Sequence, residues 1–306
     1  MKNVGVLLKL LYILFFINII RSELKMERLI PRVAAVHDIS CVGRCSLTTI
    51  IPVLSCMGIQ VCPLPTAILS THLGGFKDVA FVDCTEHIDK FSKHWQSENI
   101  KFNCIYSGFL ASEDQIGVVE KFIEDFAYSH PLVLIDPVMG DEGKLYSVYN
   151  EKMQEAMKGL IAKADVITPN YTEACFLLGK QYQDSVDNLQ ELECWLMELA
   201  DFGPDKVVMT GIPFKGSSFL NIAYQKSTDE FWRIENNYIP ARYPGTGDIF
   251  ASVLLGCLLK GKSLPFAVDK AANFVAKAVE LTYFAHTPKR EGVLLESLLG
   301  ELCVIK

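Results

Sequence analysis

Past residue 30 the chain alternates between two hydrophobic rhythms. Short apolar runs come first: "RVAAVH" (32–37), "IQVCPLPT" (59–66), "FNCIYSG" (102–108), "PLVLIDP" (131–137), "DVITP" (165–169) and "KVVMTG" (206–211). Their length and branched residues predict strands buried on both faces. Between them, runs with helical spacing predict helices over 46–58, 86–98, 113–128, 150–164, 172–179 and 189–203. Two runs of alternating polarity, "FLNIAYQ" and "EFWRIENNY", predict an antiparallel hairpin, and helices follow near 247–260 and 264–284. Repeated strand–helix units imply an α/β fold: a doubly wound, mostly parallel sheet with helices on both faces. No Pro/Gly/Ser linker interrupts this pattern, so residues 26–306 are expected to form one domain.

Residues 1–25 break the rhythm. "VGVLLKLLYILFFINII" is apolar, with Lys2 before it and Lys9 inside. It could be a signal sequence or an anchor. No small-residue cleavage site follows, and Met26 opens a second clean start, so a start-site artefact is the favoured expectation. A membrane partner is expected only if this segment is a true anchor.

Composition narrows the function classes. Of 306 residues, 50% are hydrophobic and 21% charged, which suits a large packed core rather than a disordered chain. A net charge of -7 leaves no basic excess for phosphate backbones, so no nucleic-acid partner is expected. The ten cysteines are dispersed, mostly in apolar runs, and no C-x-x-C occurs. They read as buried thiols of a reducing, cytoplasmic compartment, and neither they nor the scattered histidines have zinc-ligand spacing.

In a doubly wound sheet, ligands collect outside the carboxyl ends of the strands. Those ends carry His37-Asp38, Ser70-Thr71-His72, Tyr106 to Phe109, Asp136, Thr168-Pro169-Asn170 and Thr210-Gly211, and the turn at 245–248 lies beside them. Asp136 and Asp141 flank a glycine in "IDPVMGDEGKLY", as suits Mg²⁺ carried on nucleotide phosphates; a plain loop of turn-forming residues is the other reading. In "ITPNYTEACFLLG", Asn170 and Glu173 have capping-box spacing, and could also contact phosphate and Mg²⁺. In "RYPGTGDIFASVLLG", Gly245, Thr246 and Gly247 place backbone N–H groups at a helix start, an anion pocket. Asp248 can then accept a proton from an attacking hydroxyl, or simply complement the helix dipole. There is no G-x-x-x-x-G-K-[ST] and no G-x-G-x-x-G after the first strand. Read from pattern alone, the chain is a phosphoryl transferase on an α/β sheet with Asp248 as base.

"YPGTGDIFAS" resembles the anion-hole and base signature of the ribokinase superfamily. With "VHDISCVGRCSLT", "PTAILSTHLGGF", "IYSGFL", "DPVMGDEGKLY" and "ITPNYTEACFLLG", in order from about residue 32 to 260, the chain resembles the pyridoxal/pyridoxamine kinase branch. That resemblance implies a ribokinase-like fold and ATP-dependent phosphorylation of the 5'-hydroxymethyl of a B6 vitamer. Asp248 would be the base and Gly245, Thr246 and Gly247 the anion hole. Asp136, Asp141, Thr168, Asn170, Glu173 and Thr210 would line the ATP site, with Asp136 and Glu173 on Mg²⁺ and a monovalent cation, K⁺ or Na⁺, nearby. Asp38, His72 and Phe109 would surround the vitamer, and the enzyme would be a cytosolic homodimer. Three positions depart from the family's pattern: Leu73 where Thr is usual, Phe109 where Tyr is usual, and His37-Asp38 where a Gln-Ser pair is common. An acid at 38 tilts the expected substrate toward pyridoxamine. The alternatives are a hydroxymethylpyrimidine kinase on the same scaffold and a vitamer-binding protein without catalysis.

Overall fold

The structure, a computed structural model, describes residues 30–215, 218–237 and 239–305. The apolar segment 1–25 lies outside the described residues. The compact unit Arg32–Lys306 holds every element named below.

A nine-stranded sheet forms the middle layer, in the order β11-β10-β9-β8-β5-β4-β1-β2-β3. Its parallel centre comprises β1 (Arg32–Ser40), β2 (Gln60–Leu69), β4 (Cys104–Ser107), β5 (Leu132–Ile135), β8 (Val166–Ile167) and β9 (Lys206–Phe214). Antiparallel strands close both edges. β3 (Phe81–Asp83) lies on one side, and the expected hairpin, β10 (Ser218–Gln225) with β11 (Glu230–Asn237), on the other.

β1 shows why the fold needs an apolar run there. Val33 and Ala35 pack into one hydrophobic cluster, and Ala34 and Val36 into the other. Alternate residues of a strand face opposite ways, so one short segment feeds both cores. The Val33 face is covered by α1 (Leu47–Cys56), α7 (Thr246–Leu259) and α8 (Leu264–Ala285). The Ala34 face is covered by α2 (Thr85–Ser97), α3 (Glu113–Asp125), α4 (Glu151–Ile161), α5 (Tyr171–Leu178) and α6 (Leu189–Ala200). β2 contains Pro63 and Pro65, which have no N–H to give a ladder. β3 pairs only with residues 67–69 of β2, so both prolines sit on an open edge.

Helix starts follow local polar chemistry. Ser112, Asn150, Asn170 and Asn188 each accept a backbone N–H from three residues on, which satisfies orphan donors of α3, α4, α5 and α6. α7 is different: its N-cap is Gly245, left-handed at φ 82°, with no side-chain cap. Among the described residues no helix is long and apolar enough to cross a membrane.

Three features differ from the sequence expectations. β1 and β2 run to Ser40 and Leu69, so His37 and Asp38 lie inside a strand rather than at its end. β3 was not anticipated. Residues 140–145 form a small hairpin, β6 (Gly140–Asp141) with β7 (Lys144–Leu145), where only a loop was expected. Its turn residues, Glu142 at φ 52° and Gly143 at φ 72°, are both left-handed, the backbone of a tight hairpin turn.

Candidate active site

The site forms where β1, β4, β5 and β8 end and α7 begins. Gly245 is the pivot. A Cβ there would meet the Arg44 carbonyl oxygen at 2.0 Å, so only glycine lets this turn lie against the loop after β1. The turn delivers the first N–H groups of α7 with no side chain across them. Such an end attracts anionic groups, because unpaired N–H groups and the helix dipole act together.

Asp248 stands in the first turn of α7 and is 8% exposed, enough for contact with a small reactant. Its carboxylate is held at both oxygens. The Ser46 backbone N–H donates to Oδ2 at 2.6 Å, and His37 Nε2 lies 3.1 Å from Oδ1. Ser46 adopts φ 55° and ψ -147°, a conformation that L residues avoid. Strain of this kind persists only where surroundings over-determine it, and the bond to Asp248 is one such constraint.

Asp136 follows β5 and faces the same turn: a Cβ on Gly247 would lie 3.9 Å from Asp136 Oδ2. Thr168 Oγ1, after β8, donates to Asp136 Oδ1 at 2.9 Å. Burial, and then the charge of Asp248, push the Asp136 carboxyl up to about 7. Behind it, Glu173 completes a true capping box with Asn170. Its oxygens accept N–H groups from Met139 at 3.1 Å and Asn170 at 2.7 Å. Burial, reinforced by Asp136, raises Glu173 well above the usual carboxylate range. Asn170 Nδ2 donates to the Gly140 carbonyl at 2.9 Å, which ties α5 to the β6–β7 hairpin. Thr210 is drawn to this group by a bridge to Asn170.

The other expected residues lie around this centre with partners of their own. Asp141 pairs with Arg242 at 3.0 Å, and Glu142 with the same guanidinium at 3.1 Å. Thr246 Oγ1 donates to the Tyr243 carbonyl at 3.2 Å. Asp38 Oδ1 meets His37 Nδ1 at 2.8 Å, and Ser40 donates to Oδ2 at 2.9 Å. Burial opposes charge on Asp38, but these hydrogen bonds hold its carboxyl below the usual range. Both ring nitrogens of His72 are engaged: Nδ1 accepts from Gly74 N–H of its own loop at 3.1 Å, and Nε2 donates to the carbonyl of distant Arg290 at 2.6 Å. The Phe109 backbone reaches His37, its N lying 3.2 Å from Nε2.

Sequence reasoning missed two contributors. His37 was named at a strand end beside the site without any link to Asp248, and Ser46 was not singled out at all. Both act on Asp248 from the far end of the chain, and no local spacing links residues so separated. Arg242 was also unforeseen, although a lone arginine just before the glycine turn was a usable signal.

Known proteins resemble this chain throughout the region that carries the site. The family described as phosphomethylpyrimidine kinase matches residues 51–291. A pyridoxal kinase of Arabidopsis thaliana is 29% identical over 234 residues, covering 74% of this chain and 73% of the relative. A crystal structure of a Bacteroides thetaiotaomicron protein classed as a phosphomethylpyrimidine kinase, in a form with pyridoxal, superposes with a TM-score of 0.85. It is 42% identical and covers 89% of this chain and 96% of its own. The pyridoxal kinase of Lactobacillus plantarum superposes with a TM-score of 0.80 at 31% identity, covering 90% of this chain and 96% of its own. With matches this extensive in both sequence and fold, the chain belongs to the phosphomethylpyrimidine kinase family, on the pyridoxal kinase branch of the ribokinase superfamily.

Proposed function

We propose that this protein transfers the γ-phosphoryl group of ATP to the 5'-hydroxymethyl of a B6 vitamer. One observation carries the reading: a carboxylate, Asp248, is fixed in the first turn of an α-helix whose N-terminus has no side-chain cap. Substrate hydroxyl and phosphoryl group would meet there. Asp248 takes the hydroxyl proton as the oxygen attacks, and the N–H groups of residues 245–247 receive the charge on the transferred group. The relative crystallised with pyridoxal supports the vitamer as acceptor.

ATP lies, in this reading, along Asp136, Asp141, Thr168, Asn170, Glu173 and Thr210. The acids fit a divalent cation: burial with the charge of Asp248 raises Asp136, burial with the charge of Asp136 raises Glu173, and a bound cation relieves both. Mg²⁺ on the nucleotide would supply neutralisation of phosphate charge, with Asp136 facing it and Glu173 behind. A monovalent cation, K⁺ or Na⁺, belongs to the same reading. The vitamer ring lies near Phe109, with Asp38 and His72 organising the strand and loop around it.

The enzyme is a cytoplasmic homodimer in this reading. Ten free thiols, five of them buried, favour a reducing compartment. Ile68 and Val82, paired across β2 and β3 and both exposed, offer an apolar edge for a second copy.

The deciding experiment measures ATP consumption with pyridoxal, pyridoxamine, pyridoxine and hydroxymethylpyrimidine. Turnover is expected with the vitamers. A strong preference for hydroxymethylpyrimidine would move the chain to the second reading, which the family match favours. Tight pyridoxal binding without turnover would make it a binding protein.

A further inference from the structure

β1 also delivers a buried histidine that the reaction as described above does not use. His37 is 2% exposed. Its ring lies between two carboxylates, with Nδ1 2.8 Å from Asp38 Oδ1 and Nε2 3.1 Å from Asp248 Oδ1. The Asp248 contact becomes a hydrogen bond only when Nε2 carries a proton; the backbone N–H groups of Asp38, at 2.9 Å from Nδ1, and of Phe109, at 3.2 Å from Nε2, compete with the carboxylates for the same two nitrogens. The slot for the ring is shaped by Gly108: a Cβ there would fall 2.0 Å from His37 Cδ2.

The surroundings favour a cation. Asp38 on β1, Asp248 on α7 and Asp136 after β5 are the acids that act on the ring electrostatically. Tyr106 on β4 meets it edge-on at 6.5 Å, and burial keeps that phenol protonated. Cys45, before α1, is a neutral thiol, pushed up to about 12 by burial and the same two carboxylates, Asp248 and Asp38. Burial alone would strip the proton from His37, but Asp248 and Asp38 together overrule it and push the imidazole up to about 10.

We propose that His37 is a positioning residue: clamped between Asp38 and Asp248, it fixes the plane of the Asp248 carboxylate against the reacting hydroxyl. The proposal rests on Asp248 being the base. With Ser46 N–H on Oδ2 and the His37 ring 3.1 Å from Oδ1, rotation of the carboxylate would break the Ser46 bond and lengthen the His37 contact. The substrate proton passes from the hydroxyl to Asp248, and His37 keeps its own. Because the same ring touches the Phe109 backbone, the clamp also joins the base to the wall where the vitamer is placed.

Nitrogen-15 spectra of histidine-labelled protein test the clamp without relying on activity. One of the six histidines should remain doubly protonated at pH 8.5, and its signals should vanish in His37→Gln. In Asp248→Asn that imidazole should lose its proton at clearly lower pH. A neutral His37 at pH 8.5 in the wild type, or an unchanged titration in Asp248→Asn, overturns the proposal. Kinetics supply the second arm. His37→Gln, which retains one N–H donor, should lower kcat about tenfold and His37→Leu about a hundredfold, with KM for ATP nearly unchanged. Wild-type kcat in either variant overturns the proposal. Should His37→Leu fail to fold, His37→Gln and the spectra still decide. Should the wild type phosphorylate none of the candidate substrates, the proposed function fails while the spectra still judge the clamp.

Discussion

On the α7 side of the site, Asp248 meets the His37 ring, proposed to be an imidazolium, and a backbone N–H. On the α5 side, the hydrogen-bond partners of Asp136 and Glu173 are uncharged: a threonine hydroxyl and two backbone N–H groups. Both sides are buried carboxylate chemistry, yet the first brings its counter-charge within the chain and the second does not. Buried acids without a cation rise toward the neutral form, as Asp136 and Glu173 do. The contrast teaches a division of labour. In the proposed reading, one acid is kept in a fixed geometry for proton transfer, and the other pair is left to be neutralised by whatever the nucleotide brings.

Four substitutions probe that contrast. Asp248→Asn keeps the shape but removes the base, and should cut turnover by roughly 10²–10⁴ while ATP still binds, as steady-state rates and calorimetry would register. Near-normal turnover would mean that the proton goes elsewhere. Asp136→Asn should lower Mg²⁺-supported turnover by about 10², yet should stabilise the ligand-free protein. Its carboxyl ionises near 3.8 unfolded and about 7 folded, so the folded state holds the extra proton and loses stability as pH rises between those values. The thermal midpoint of the variant should therefore exceed that of wild type at pH 8, and the gain should fade on acidification through pH 7. No gain at pH 8 would show that Asp136 is not under repulsion.

Gly108→Ala attacks the α7 side indirectly. The new methyl would enter the His37 ring, so kcat should fall about tenfold, with about 1–3 kcal/mol of stability lost to overpacking in urea unfolding. An unchanged rate would separate the ring's position from catalysis. Asn170→Ala attacks the α5 side by deleting half of the capping box, and should cost about 1 kcal/mol of stability. A larger effect on turnover than on stability would assign Asn170 a ligand contact as well.

Legibility in the sequence tracked the range of the interactions. Four of the five helices of the Ala34 face, α3 to α6, were readable because each begins at a polar cap and carries apolar positions at helical spacing, as Asn150 and α4 illustrate. The buried parallel strands were readable from their unbroken runs. β3 has three residues and the strands of the small hairpin two each, too short for any period to show. The hairpin turn uses Glu142 where asparagine or aspartate would announce left-handed backbone, so its signal was muted. Within the site, the glycine turn, Asp248 and the capping box stood out as contiguous motifs. The bonds that orient Asp248 did not, because His37 and Ser46 reach it only after the sheet has brought β1 beside α7.

The way β1 shares out its side chains has an evolutionary edge. Val33 and Ala35 serve one core, Ala34 and Val36 the other, and His37 continues the first face toward α7. Against β2 the register slips between His37 and Ile39, so the strand is already phased around this point. Adding or deleting a single residue before His37 would send each preceding side chain to the wrong layer relative to the histidine, because the strand period is two. Family members can change this segment letter by letter, but its length is locked. Lineages that keep the enzyme working should put their insertions elsewhere, in exposed connections such as residues 183–185.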